Sequence, residues 1–166
     1  MHETTKYSHL PYRRGVGITL FNKEGKVFVG ARFGSPDRWQ MPQGGIEENE
    51  DPLEAVFREM EEEIGTRNAE ILETLNTWLH YDVPDYLVPK LWDGKYRGQK
   101  QKWIAFRFLG EDSDIKLDAF DKPEFKEWKW VEIEELIDIA MPFKRHAYEH
   151  IMRSFQQHAI PTDDDE

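Results

Sequence analysis

The stretch that decides the fold is residues 44–66, which read GGIEENEDPLEAVFREMEEEIGT. Two glycines predict a turn, and an acidic amphipathic segment follows them. Asp51 suits the N-cap of a helix, because its carboxylate can accept from free amides of the first turn, and Pro52 suits the first helical position. Glu54 completes a capping box with Asp51, and Gly65 can end the helix in a left-handed conformation. The sequence therefore predicts one capped helix between these signals.

The predicted helix has an apolar face and an acidic face. At about 100° per residue, the side expected to face the core carries Leu53, Val56, Phe57, Met60 and Ile64. Three carboxylates converge on another stripe, above the small Ala55: Glu59, Glu62 and Glu63. Like charges this close repel one another, and a hard divalent cation removes the conflict because it binds carboxylate oxygens. A solvated acidic surface is the alternative for the bare Glu-x-x-Glu-Glu pattern.

The wider pattern around these glutamates resembles the Nudix box. Its members are Gly44, Glu50, Arg58-Glu59, Glu62-Glu63 and Gly65. The chain therefore looks like a Nudix hydrolase, although Thr66 replaces the aliphatic residue expected after the last glycine. This resemblance implies an α/β fold, an α/β/α sandwich around a mixed sheet with the box as a loop-helix-loop. It also implies that Mg²⁺ is held by Glu59, Glu62, Glu63 and the main-chain carbonyl near Gly44, with Mn²⁺ or another divalent cation as a substitute.

Composition bounds the rest of the molecule. The chain has 166 residues, no cysteine and a net charge of −11. We expect one domain over residues 10–160, a flexible arm over 1–9 and an acidic tail over 161–166. The lack of cysteine, of a membrane-length apolar run and of a signal-peptide core predicts a cytoplasmic protein that does not bind membranes. Because the overall charge repels phosphates, a polyphosphate substrate must rely on metal ions and on a local group of Arg and Lys residues.

Hydrophobic periodicity predicts irregularly alternating strands and helices, as in a mixed sandwich rather than a doubly wound sheet. Strands are expected over residues 15–21, 27–32, 69–80, 101–109 and 124–131. Helices are expected over residues 132–140 and 143–158, in addition to the box helix. Residues 81–96 are rich in Pro, Asp and Tyr and are interpreted as a surface loop near a site.

Segments outside the box narrow the resemblance to one subfamily. They are Tyr12-Arg13, Gly15-Val16-Gly17, WQMPQGG at 39–45, GQKQKW at 98–103 and PEFKEW at 123–128. Together they resemble the RNA pyrophosphohydrolases, which form a subfamily with the asymmetric diadenosine tetraphosphate hydrolases, over about residues 10–158. The resemblance implies hydrolysis of a phosphoanhydride next to a nucleoside. The substrate is then an RNA 5′ end or a dinucleoside polyphosphate, and the residues leave this choice and the oligomeric state open.

The same resemblance gives roles to residues beyond the box. Glu124 is expected to be an added metal ligand or the base for the attacking water, a role for which Glu59 also competes. The candidates for phosphate contacts are Arg13, Arg32, Gln101 and Lys102. The candidates for base stacking and for the nucleotide strand are Tyr81, Phe143, Lys144 and Arg145. The alternatives are ordinary surface bases and core aromatics.

Two rival functions are compatible with parts of this pattern. A nucleoside-diphosphate-sugar or ADP-ribose hydrolase would share the box, but the GQKQKW segment at 98–103 disfavours it. A non-catalytic Nudix-like regulator that binds nucleotides would be expected to have lost box glutamates, and Glu59, Glu62 and Glu63 are all present. We therefore predict a metal-dependent pyrophosphohydrolase.

Overall fold

A computed structural model describes residues 6–34, 38–120 and 122–162. The strands are β1 (Tyr12–Phe21), β2 (Val27–Arg32), β3 (Trp39–Gln40), β4 (Gln43–Gly45), β5 (Ala69–Thr74), β6 (Leu79–Asp82), β7 (Gly98–Phe108) and β8 (Phe125–Val131). The α-helices are α1 (Pro52–Ile64), α2 (Glu135–Ile139) and α3 (Arg145–Phe155). Most of the predicted arm and of the acidic tail lies outside the described residues. Within them, no helix has the length and apolar composition needed to cross a membrane.

The strands form one mixed sheet in the described part of the chain. Its main path runs β3-β2-β1-β7-β5, and β4, β6 and β8 pair with β1, β7 and β2 respectively. β1 and β7 are parallel from Tyr12 opposite Gly98 to Phe21 opposite Arg107, whereas the other pairings are antiparallel. Central strands are covered on both sides, which explains why β1 reads as an apolar run rather than an alternation.

Helices cover both faces of the sheet and enclose two cores. Alternate residues of β1, namely Val16, Ile18 and Leu20, pack in one core with Val56, Met60 and Ile64 of α1. The other core joins Phe21 and Trp103 to Ala147, Tyr148, Ile151 and Phe155 of α3. These layers confirm the predicted α/β/α sandwich with a mixed sheet.

The local signals of α1 are used as predicted. Asp51 Oδ1 accepts from the amide of Glu54 at 2.8 Å, and the Glu54 carboxylate accepts from the Asp51 amide at 3.1 Å. Gly65 ends the helix with a φ of 85°. The assignment of Leu53 to the core was wrong, because this side chain lies in the first turn ahead of the buried stripe and is 48% exposed.

The strand predicted over residues 69–80 is two strands, β5 and β6. Both pair with β7, with Thr74 opposite Ile104 and Leu79 opposite Gln101. The five residue steps from Thr74 to Leu79 therefore lie opposite only three steps of β7, from Ile104 back to Gln101. The surplus residues between β5 and β6 cannot pair with β7. Trp78 lies in this interruption, directly before β6.

Residues 81–96 are more ordered than the predicted surface loop. β6 continues to Asp82, and two 3₁₀ helices follow at Asp85–Lys90 and Trp92–Gly94. Val83 and Val88 are buried in a third small core, against which Tyr7, Leu10, Leu87, Leu91, Trp92 and Phe143 pack. The predicted last helix also starts later, because Pro142–Lys144 form a separate 3₁₀ turn before α3.

Candidate active site

Gly44 lies against the carboxyl group of Glu59. The pairing of β4 with β1 sets Gly44 opposite Val16 in the register of the sheet, on the face that α1 covers. A Cβ atom on Gly44 would overlap the Glu59 carboxyl group. Only glycine lets the main chain approach a side chain this closely, so the box loop and the box helix meet at this contact.

Arg58 fastens the same loop to α1. Its guanidinium donates to both carboxylate oxygens of Glu50, at 2.8 and 2.9 Å, and to the Gly45 carbonyl at 2.8 Å. It also donates to Glu59 at 3.0 Å and to Glu62 at 3.4 Å. The hydrogen bond with Glu50 is the main cause that raises the Arg58 pKa. One cation therefore neutralises part of the carboxylate cluster and fixes the loop.

Glu63 is a buried carboxyl group with an unsatisfied atom. It is 4% exposed, and its Oε1 has no hydrogen-bond partner among the residues that the structure describes. Burial, followed by the neighbouring Glu59, raises the Glu63 pKa well above its usual range, and burial also raises the Glu59 pKa. An orphaned carboxylate oxygen beside a second carboxyl group suits a hard divalent cation.

The four predicted acidic ligands do not form a ready-made metal cluster in the described residues. Glu62 is partly exposed and bonded to Arg58, and Glu124 forms a 2.8 Å ion pair with Arg32. The structure thus brings Glu59, Glu63 and Gly44 together. Glu62 is ion-paired with Arg58, and Glu124 is ion-paired with Arg32. The electrostatic influence of Glu124 still contributes to the raised pKa of Glu63, so its carboxylate is within range of the pair.

Gln43, just before Gly44, connects the box to several predicted substrate residues. Its Oε1 accepts from Gln101 Nε2 at 3.0 Å and from Lys144 Nζ at 3.4 Å, and its Nε2 donates to Tyr81 Oη at 3.5 Å. Tyr81 Oη also accepts from Gln99 Nε2 at 2.7 Å. Lys144 is 6% exposed, and burial lowers its pKa to about 8. Gln43 and Gln99 were missed, although both lie in the segments that carry the resemblance.

The remaining aromatic and basic candidates lie near this network. The Tyr81 and Phe143 rings are 5.7 Å apart and tilted by 43°. Arg13 donates to Gln99 Oε1 at 3.2 Å and lies 5.4 Å from the Trp92 ring. Arg145 is exposed at the start of α3. Tyr81 is itself buried, so Phe143 is the more accessible ring of the pair.

Gln101 and Lys102, both predicted to contact phosphates, project from opposite faces of β7. Gln101 is 1% exposed; its amide nitrogen bonds Gln43, and its oxygen accepts from Trp103 Nε1 at 3.1 Å. Gln101 therefore holds the Gln43 side chain in place from a buried position. Lys102 lies on the other face of β7, because successive side chains of a strand alternate, and its amine donates to the Asn76 carbonyl at 3.2 Å. This alternation was available in the sequence, and it places the two side chains on opposite faces of the sheet.

Comparison with known proteins settles the family. The model of the NUDIX domain matches residues 11–154. The chain belongs to the Nudix family. Among its Nudix relatives are proteins named RNA pyrophosphohydrolase from Rhodospirillum rubrum, 53% identical over 92% of both chains, and from Rickettsia bellii, 46% identical over 94% of this chain and 98% of the relative. The predicted resemblance to Nudix hydrolases and to this subfamily is confirmed.

Solved structures of two hydrolases share the fold at low sequence identity. An Ap4A hydrolase from C. elegans, in a binary complex, has a TM-score of 0.62 and 20% identity over 86% of this chain and 96% of its own. The dihydroneopterin triphosphate pyrophosphohydrolase of E. coli has a TM-score of 0.64 and 16% identity over 87% and 99% of the two chains. At these identities the likeness supports the fold alone.

Proposed function

We propose that this Nudix protein is an RNA pyrophosphohydrolase that removes pyrophosphate from RNA 5′-triphosphate ends. The observation that carries the proposal is the pair of the partly buried Glu59 and the buried Glu63 beside Gly44, in which Glu63 Oε1 has no hydrogen-bond partner among the described residues. The names of the relatives at 44–53% identity support the choice of RNA. We propose that the enzyme acts in the cytoplasm, because a chain without cysteine fits a reducing compartment.

The donor set fits Mg²⁺, with Mn²⁺ as a substitute. Glu59, Glu63 and the Gly44 carbonyl would hold the ions, and Glu62 and Glu124 would complete the set. When bound, such cations neutralise phosphate oxygens and lower the pKa of a water molecule. Arg58 would keep the box loop in place throughout, through its hydrogen bonds to Glu50 and Gly45.

The side chains around Gln43 would bind the 5′ end of the RNA. Arg13, Arg32 and Lys144 supply positive charge for the phosphates. Phe143 would stack on a base, and the Tyr81 ring would support Phe143 from its other side. The exposed Arg145 would contact the next nucleotides of the RNA. These cations lie close to the box, which offsets the repulsion that a net charge of −11 exerts on phosphates.

Glu124 is our candidate for handling the attacking water. Glu59 is already engaged by Arg58 and lies against Gly44, which suits a fixed ligand. Glu124 is held by Arg32 alone among the ion pairs of the described residues. A substrate phosphate would compete for Arg32 and free the Glu124 carboxylate to accept a proton from water. In the absence of substrate the same ion pair keeps the carboxylate occupied.

Hydrolysis of diadenosine tetraphosphate to ATP and AMP is the second candidate. It is favoured by the segments at 39–45 and 98–103, which resemble the subfamily that includes the asymmetric diadenosine tetraphosphate hydrolases, and it needs the same recognition of phosphates and a base. The two substrates differ at the far end of the phosphate chain, where one carries an RNA strand and the other a second nucleoside. They can therefore be separated only by measured turnover.

The test is a side-by-side assay with 5′-triphosphorylated RNA and diadenosine tetraphosphate in Mg²⁺. We expect the larger kcat/KM for RNA, with pyrophosphate as a product. Glu63→Gln keeps the shape but removes the charge, so turnover of both substrates should fall by roughly 100-fold or more. The variant should stay folded, since a neutral amide suits a buried site better than a carboxylate. Near-normal turnover in Glu63→Gln, or no turnover of RNA by the wild type, would contradict the proposal.

A further inference from the structure

A cluster of three cations surrounds Trp78 on the face of the sheet opposite Gln99 and Gln101. The Arg14 Cζ, Lys100 Nζ and Lys102 Nζ atoms lie 5.7, 5.7 and 5.5 Å from the centre of its ring. Arg14 pairs with Lys100 across β1 and β7, and Lys102 follows two positions later, so all three side chains project from one face. We call these four residues the Trp78 surface.

The cations of the Trp78 surface form no ion pair in the described part of the chain. Within the described ranges, Arg14, Lys100 and Lys102 take part in no salt bridge, although Asp and Glu number 33 in the chain. Arg14 is exposed, and the other three residues are partly exposed. Three like charges around one ring repel one another, which offsets part of the attraction that each cation has for the ring. An external anion would relieve this repulsion.

The position of the surface connects it to the box. The Arg14 carbonyl accepts from the amide of Ile46 at 3.0 Å, directly after the glycine pair of the box. The surface continues along the strands through Tyr12 and His80, whose rings make an edge contact at 5.0 Å. The buried network of Gln43 lies on the other face of the same strands. The Trp78 surface is therefore outside the candidate active site but begins next to its loop.

We propose that the Trp78 surface binds single-stranded RNA beyond the nucleotides held in the active site. Arginine and lysine would contact successive phosphates, and one base would stack on the indole ring of Trp78, the combination that single-strand binding proteins use. An acidic protein segment would match the charge but would give the exposed ring no planar partner. The choice of RNA rests on the proposed function, because the substrate of that reaction has a strand that must continue past the catalytic groups.

The test measures binding without hydrolysis. The probe is a labelled 12-nucleotide uridine-rich RNA with a 5′-hydroxyl end, titrated by fluorescence anisotropy at several salt concentrations. Trp78→Ala should weaken binding at least about 5-fold, as expected for one lost base stack, and Trp78→Phe should restore most of it. The double variant Lys100→Gln/Lys102→Gln should reduce the steepness of the plot of log binding constant against log salt concentration by about 1.4. Each lysine is expected to account for one phosphate contact, and one contact on a single strand contributes about 0.7.

The matched control removes two other exposed lysines. Lys116→Gln with Lys129→Gln changes the net charge equally, and Lys129 also lies over an indole ring, that of Trp39, at 4.2 Å. This variant should keep the wild-type affinity and salt slope. All variants should hydrolyse diadenosine tetraphosphate at the wild-type rate, because this small substrate has no strand to reach the Trp78 surface.

Two results would overturn the proposal. Equal RNA affinity in the wild type, the Trp78→Ala variant and the double-lysine variant would show that the Trp78 surface does not bind RNA. A protein partner would then be the remaining occupant. An equal loss in the Lys116→Gln/Lys129→Gln control would show that only net charge matters. Failure of the proposed function is a separate result, because it would appear as absent turnover of 5′-triphosphorylated RNA while the 5′-hydroxyl RNA still bound.

Discussion

At the scale of single residues, the site depends on charged groups that are removed from water. Lys144 is an example: it is 6% exposed, it donates to Gln43 Oε1 at 3.4 Å, and its amine lies 5.3 Å from the centre of the Tyr81 ring. Burial disfavours the charged amine and lowers its pKa to about 8, and the nearby Arg32 acts in the same direction. Lys144 therefore changes its charge within the range in which enzymes are assayed.

Substrate affinity should fall as the pH rises through about 8. Lys144 is charged below its pKa and neutral above it, so the attraction it offers to phosphates is present at pH 7 and lost by pH 9.5. The phosphates themselves are already ionised over this range, because their second pKa is about 6. We expect KM for 5′-triphosphorylated RNA to rise several-fold in the wild type and to stay flat in Lys144→Met. Parallel pH profiles in the two proteins would contradict the prediction, and Lys129→Met is the control.

At the scale of elements, α1 could be predicted because its signals are local. The cap at Asp51, the proline and the final glycine each act within about one helical turn of their own position, and all three are used. The division between β5 and β6 could not, because it depends on the register of both strands against β7. Likewise, the alternation of side chains along a strand predicts that Gln101 and Lys102 face opposite sides of the sheet. Only the structure shows that the Gln43 network lies on the side covered by α3.

The connection between the box loop and α1 should depend on Arg58. Arg58→Ala removes the hydrogen bonds to Glu50 and Gly45 and should lower the free energy of unfolding by about 2 kcal/mol, the order of a charge-assisted hydrogen bond in a partly buried setting. The same change releases Glu59 and Glu62, so added Mg²⁺ should raise Tm more in the variant than in the wild type.

Arg58→Lys is the informative control, because an amine keeps the charge but lacks the planar fork that meets Glu50. It should recover less than half of the lost stability. Thermal unfolding with and without Mg²⁺ gives both quantities. A wild-type Tm in Arg58→Ala would show that the loop is held by other contacts.

At the scale of the whole molecule, a strongly acidic protein carries two local groups of cations. One group, Arg13, Arg32 and Lys144, accompanies the pair of Glu59 and the buried Glu63, and the other is the Trp78 surface. Composition predicted that phosphate binding needs a local basic group, and the resemblance to the family indicated the residues of the first. The second required the structure, because Trp78 lies far along the sequence from Arg14 and lies in an interruption between strands that the sequence did not reveal.

The parallel pairing of β1 with β7 also determines when the protein can fold during its synthesis. β1, β5 and β6 all pair with β7, which begins only at Gly98. A nascent chain that exposes only residues 1–97 outside the ribosome thus lacks the central partner of three strands, and we expect a protease to digest it completely. Chains stalled after β8 and α3 have emerged should resist the protease, and a resistant fragment from the shorter chain would contradict this order. Contacts between residues this far apart in sequence form slowly. The apolar strands near the N-terminus therefore stay exposed until the second half of the chain has been synthesised. We expect this incomplete chain to be the form that most needs a chaperone.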